Sequence, residues 1–85
     1  MAYHTVRVQG HTFLFNYEKD HPELLHIFAR HLMEVDDAVY IFFNGERFWN
    51  PTNNRWETLL DGEVIYWTWK NEIDKVVLVI SCFRV

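Results

Sequence analysis

The sequence predicts an α+β domain: an N-terminal β-hairpin, one amphipathic α-helix, and then an antiparallel β-meander. Three observations carry this. Apolar and polar residues alternate on both sides of Gln9-Gly10. The period becomes helical over residues 21–33. From Ala38 the period of two returns, interrupted by short turn sequences.

Gln9-Gly10 supplies a two-residue turn, with Gly for the positive φ. That register sets Val8 opposite His11, Val6 opposite Phe13 and His4 opposite Phe15. One face then carries Val6, Val8, Phe13 and Phe15, and the other is polar except for Leu14. In the helix, Asp20 is placed as N-cap with Glu23 at N3, and Pro22 falls in the first turn, where its missing N–H costs nothing. Leu24, Ile27, Phe28, His31 and Leu32 form the buried stripe, and Asp36-Asp37 end the segment.

Asn44-Gly45 reads as a hairpin turn pairing Phe43 with Glu46 and Tyr40 with Trp49. The loop between Trp49 and Trp56 holds Asn50, Pro51 and Asn54, all suited to turns. Asp61-Gly62 pairs Leu60 with Glu63 and Trp56 with Trp67. Asn71–Asp74 pairs Lys70 with Lys75 and Trp67 with Leu78. Composed, these registers put Tyr40, Trp49, Trp56, Trp67 and Leu78 in one row, on the face expected to lie under the helix. The opposite face carries Phe48, Leu59, Val64, Tyr66, Val77, Val79 and Phe83, and either sheet curvature closes it or a partner covers it. A one-residue slip in any turn would exchange the faces beyond it.

The 85 residues make one domain, 1–85. With 49% apolar and 18% aromatic residues, the chain has the material for a dense core and not for disorder. The net charge of −4 and scattered Arg7, Arg47, Arg55 and Arg84 leave no basic stripe, which argues against a nucleic-acid partner. Cys82 is the only cysteine, so an internal disulfide and a cysteine-based zinc cluster are excluded; a reducing, cytoplasmic setting fits. The start, Met1-Ala2-Tyr3-His4, has no charged and apolar leader pattern. The longest apolar run, Val76–Ile80, is too short to span a bilayer, so no membrane partner is expected.

Two stretches carry a family resemblance. Val39-Tyr-Ile-Phe-Phe-Asn-Gly-Glu46 resembles the strand and turn that follow the helix in the ubiquitin-like β-grasp. Leu60-Asp-Gly-Glu-Val64 resembles an element of the small sulfur-carrier proteins of that superfamily. The resemblance implies a β-grasp-like fold as the alternative to a half-barrel meander. Those carriers end in Gly-Gly and this chain ends Cys82-Phe-Arg-Val85, so no carrier activity and no site residue is taken from them.

His21, His26 and His31 are spaced five apart, which points helical side chains to different sides, so no metal site is expected, and His31 is the histidine placed in the core. The carboxylates Asp36, Asp37, Asp61 and Glu63 sit at turns, where backbone hydrogen bonding explains them. Cys82 in an apolar strand reads as a small hydrophobe. No nucleophile–base–orienter set, phosphate-binding loop or dinucleotide fingerprint occurs. The balance is against an enzyme, and no catalytic residue, cofactor or metal is assigned.

The chain is expected to be a non-enzymatic protein-interaction module, a homo-oligomer or the binder of a larger protein, because its last strand is apolar on both sides. The interface residues are Phe48, Tyr66, Val77, Val79 and Phe83. One alternative is a small acidic, antitoxin-like inhibitor presenting Asp36, Asp37, Glu46, Glu57, Asp61 and Glu63 to a basic partner surface. The other is a small enzyme, which needs two of His4, His11, His26 and His31 beside a carboxylate in a cleft.

Overall fold

The computed structural model describes residues 2–85; Met1, the first residue of the domain read from the sequence, lies outside them. The chain is α+β. In order it forms β1 (His4–Val8), β2 (His11–Phe15), α1 (His26–His31), α2 (Val35–Asn44), β3 (Glu46–Asn50), β4 (Arg55–Leu60), β5 (Glu63–Asn71) and β6 (Val76–Arg84). The six strands make one mixed sheet in the order β1-β2-β6-β5-β4-β3.

The first hairpin has the expected register, with Val8 opposite His11, Val6 opposite Phe13 and His4 opposite Phe15. Gln9 and Gly10 both take positive φ, 49° and 77°, as a two-residue turn between right-twisted strands requires. Trp49 pairs with Trp56 and Trp56 with Trp67, also as expected. Asp61 and Gly62 turn the chain with φ of 50° and 79°.

Two expectations fail. The helix placed at residues 21–33 is only α1, and Asp20 does not cap it. The backbone of residues 24–26 is engaged elsewhere: Glu18 N–H donates to the Leu24 carbonyl and His26 N–H donates to the Asn16 carbonyl. Those bonds hold residues 16–18 against 24–26 and delay the first helical turn to His26. At its other end Leu32 closes α1 in the left-handed region with φ 55°, its side chain is 70% exposed, and Met33 is buried in its place. His31, expected in the core, is exposed.

The second failure is the strand read from Ala38 to Phe43, which is α2. The Asp37 carboxylate accepts a 2.9 Å hydrogen bond from Glu34 N–H, and Asp36 and Asp37 lie in the first turn, at the positive end of the helix dipole. The acidic pair therefore opens a helix and does not end one. Val35, Ala38, Val39 and Phe42 fall three and four apart and face the sheet, while Tyr40 is exposed. Asn44-Gly45 is no hairpin turn. Gly45 ends the helix with φ −86°, and its N–H donates to the Ile41 carbonyl at 2.8 Å. A Cβ there would come within 2.5 Å of the Leu59 carbonyl oxygen, so glycine serves close approach and not turn geometry. Val39–Glu46, one of the stretches carrying the β-grasp resemblance, is thus helix and helix exit.

The last strand is central. β6 pairs antiparallel with β5 and parallel with β2, where Phe13 meets Val77 and Phe15 meets Val79. A strand flanked on both edges is central in its sheet; Val77, Val79 and Cys82 face the core, while Leu78 and Phe83 are half-buried and Ile80 is exposed. The β5–β6 turn pairs Asn71 with Val76 and not Lys70 with Lys75, and a register shift between Trp69 and Asn71 then places Trp67 opposite Val79 and not Leu78; a second shift lies between Tyr66 and Trp67. The first shift turns Val77 and Val79 onto the tryptophan face; the second restores the expected alternation, so Cys82 faces with Trp67 and Phe83 faces away. The core gathers Phe13, Phe15, Ile65, Trp67, Val77 and Val79 from the sheet against Ile27, Met33, Ile41 and Phe42.

Candidate functional site

The pairings define the sheet face away from α2. Phe48 lies opposite Glu57 and Glu57 opposite Tyr66; Leu59 lies opposite Val64 and Val64 opposite Phe83. These two rows share a face because alternate residues point the same way. Phe48 is 52% exposed and Leu59 40% exposed, with Val64 buried beside them. Tyr66 and Phe83 are half-buried, their rings edge to face at 5.0 Å. Three of the five residues expected at an interface, Phe48, Tyr66 and Phe83, therefore lie on one accessible face. Val77 and Val79 are 0% and 1% exposed and belong to the core of the protomer, so neither reaches a partner. The register shift between Trp69 and Asn71 is the reason.

Polar groups lie on this face. The Arg55 guanidinium lies 3.6 Å over the Tyr66 ring, and Arg55 Nε pairs with Glu57 at 3.1 Å. Asn50 Nδ2 donates to the same Glu57 carboxylate at 2.8 Å. Phe48, Leu59, Tyr66 and Phe83 thus share this face with Glu46, Glu57 and Arg55: Glu57 lies between Phe48 and Tyr66, and Glu46 lies opposite Leu59. Leu59 was noted on this face from the alternation but not named with the interface residues; its exposure follows from β4 lying next to the edge strand β3.

A second polar cluster surrounds Glu18, which is 4% exposed between the β2 exit and α1. Arg30 donates to it twice, from Nε at 2.7 Å and Nη2 at 3.2 Å, and Lys19 N–H donates at 2.8 Å. The Arg30 hydrogen bonds hold the carboxyl down to about 2, against the opposing effect of burial. His26 Nδ1 lies 3.4 Å from the same carboxylate, and the His31 ring is 5.9 Å from that of His26. This cluster joins residues 12 apart in sequence and had no local signal. Of the four histidines named for an enzyme, His26 alone approaches a carboxylate: His4 lies by Phe15 and Tyr17, and His11 packs among Phe13, Phe42, Phe43 and Trp69. Among the described residues no group of His, Cys, Asp and Glu is arranged to hold a metal ion.

The tryptophans on the helix side form a third feature. Trp67 is wholly buried and its Nε1–H donates to Thr58 Oγ1 at 2.9 Å. Trp49, Trp56 and Trp69 line an open groove with Thr68 and Glu72. Cys82 is buried, and burial first, then the charges of Asp37 and Glu63, pushes its thiol up to about 12. It is a core residue and no nucleophile.

The acidic residues of the inhibitor reading are dispersed. Asp36 and Asp37 start α2, Glu46 opens β3 opposite Leu59 on the same sheet face as Glu57, Glu57 is engaged by Arg55 and Asn50, Asp61 is in the β4–β5 turn, and Glu63 pairs with Arg84 at 3.0 Å. Among the described residues no helix is long and apolar enough to cross a membrane. No protein family matches the chain, and neither a curated protein nor a solved structure similar to it was found.

Proposed function

We propose that the chain is a non-enzymatic interaction module that self-associates through the sheet face opposite α2. The observation that carries this is the neighbouring exposure of Phe48 and Leu59 on that face, continuous with Tyr66 and Phe83. The support lies on β3 and β4 and not on β6, whose Val77 and Val79 face the core of the protomer. A second copy is the favoured occupant because the charged pair within the face is self-complementary. Arg55 and Glu57 lie side by side, so a two-fold related copy can set each charge against its opposite. An interface of ordinary size takes about 800 Å² from each partner. That is about a seventh of the 5497 Å² surface of this chain, so it needs most of the uncovered face. Light scattering across a concentration series is the direct test. A mass that rises toward twice the 10.4 kDa of the chain supports the proposal, and a constant monomer mass overturns it.

A second reading keeps one observation. Glu18, held ionised by Arg30, lies 3.4 Å from His26 Nδ1, a carboxylate beside a candidate general base, with one of the two histidines that an enzyme reading needs. An activity on a panel of ester, phosphodiester and peptide substrates that disappears in His26→Ala would favour it. Activity unchanged in that variant, or none at all, would count against it.

A further inference from the structure

We propose that the groove lined by Trp49, Trp56 and Trp69 binds a small organic cation with a quaternary ammonium head. It lies on the opposite side of the sheet from the self-association face and does not depend on it. The groove measures about 520 Å³, within the range of small-molecule sites. Its walls are inclined to one another. Trp49 meets Trp56 at 62° with centroids 5.3 Å apart. Trp56 is nearly parallel to Trp67, at 17°, and Trp67 is perpendicular to Trp69, at 88°, so Trp56 and Trp69 stand steeply to each other. A flat ring would want two parallel faces. Steeply set walls instead offer several ring faces to one compact, rounded group, and the face of an indole attracts positive charge.

Charge points the same way. Among the lining residues Glu72 is the only charged one, and it is exposed at the rim. The chain's own cations already lie over rings of the groove and beside it: Arg47 is 5.9 Å from the centroid of Trp56 and 4.7 Å from that of Trp67, and Lys75 Nζ is 5.6 Å from that of Trp69. Lys75, on the exposed β5–β6 turn, is thus an internal competitor for the site. The Trp49–Trp56 pair alone would be explained by cross-strand stabilisation of the β3–β4 hairpin. That explanation leaves unaddressed why Trp49 remains 45% exposed and why Trp69 and Glu72 converge on it.

The test titrates the whole chain with choline, following tryptophan fluorescence at constant ionic strength, with 3,3-dimethylbutan-1-ol as the uncharged isostere. The expected result is saturable quenching by choline and none by the alcohol. Glu72→Gln weakens choline binding about three- to fivefold, and Lys75→Ala tightens it. Both residues are exposed, so these variants fold even where Trp49→Ala does not. Equal binding of the two isosteres, absence of saturation, or indifference to Glu72→Gln would each overturn the proposal.

Discussion

Replacing Gly45 by alanine separates two meanings of the same glycine. In a hairpin turn its value would be positive φ. Here φ is −86°, which any residue adopts. An alanine with no neighbours would then stabilise by about 0.4–1 kcal/mol, by restricting the unfolded chain. The added Cβ, however, would lie 2.5 Å from the Leu59 oxygen, 2.8 Å from Thr58 Cγ2 and 2.9 Å from the Ile41 oxygen. Two of these are backbone atoms and cannot rotate away, so the end of α2 must move off β4. Overpacking of this kind costs about 1–3 kcal/mol. Straining the Gly45–Ile41 bond adds roughly 1 kcal/mol. The net expectation is a loss of about 2–3 kcal/mol, or a Tm lower by roughly 10–20 °C for a chain this small. Gly10 and Gly62 are the controls. Their φ values are +77° and +79° with nothing within 4 Å of a Cβ, so alanine costs about 1 kcal/mol there, by strain alone. Asparagine, which tolerates positive φ, should be mild at Gly62 and as damaging as alanine at Gly45. Urea melts followed by tryptophan fluorescence give the comparison through the midpoint at unchanged slope. Gly45→Ala no worse than Gly62→Ala would refute the close-approach reasoning.

Three further outcomes follow from the same geometry. Thr58→Val strands the buried Trp67 Nε1–H and should cost about 1–3 kcal/mol, while Thr58→Ser keeps the bond and costs less; equal losses in thermal melts would show that the hydroxyl is not what matters. Glu18 has its carboxyl lowered from 4.5 to about 2 on folding, so its contribution is complete above pH 4.5 and is lost as pH falls from there through 2. Glu18→Gln should therefore lower Tm at neutral pH and flatten its decline across that window; parallel curves for the two proteins would be the contrary result. Leu32→Asn should raise stability by about 0.5–1 kcal/mol, because the position is left-handed and exposed, and an unchanged or lower urea midpoint would contradict that.

Local turn chemistry was legible. Gln9-Gly10, the Trp49–Trp56 loop and Asp61-Gly62 have the registers expected, because each needs only the residues at the turn and the alternation beside it. The stretch 38–43 was misread because Val39, Tyr40, Ile41, Phe42 and Phe43 are strand-formers by type, and tertiary packing of Val35, Ala38, Val39 and Phe42 overrode that preference. The parallel contact of β2 with β6 joins Phe13 to Val77, far apart in sequence, and leaves no local mark. It was visible only indirectly, as a last strand apolar on both sides. At the candidate interface, alternation alone grouped Phe48, Tyr66 and Phe83 on one face. It failed for Val77 and Val79 because the register shift between Trp69 and Asn71 lies in the strand and not in a turn. The Glu18–Arg30–His26 cluster was not legible at all, since no periodicity links its members.

The central claim is that the face bearing Phe48 and Leu59 is where two copies meet. Sedimentation equilibrium of the wild-type chain beside Phe48→Glu tests it most directly. The substitution puts a carboxylate at an edge-strand position that is 52% exposed and opposite Glu57, which weakens the β3–β4 pair, so near-unchanged circular dichroism is required as the check that the fold is retained. The expected result is a concentration-dependent monomer–dimer equilibrium for the wild type and a monomer for Phe48→Glu. A wild type that stays monomeric at every concentration, or a dimer that Phe48→Glu leaves intact, would contradict the account.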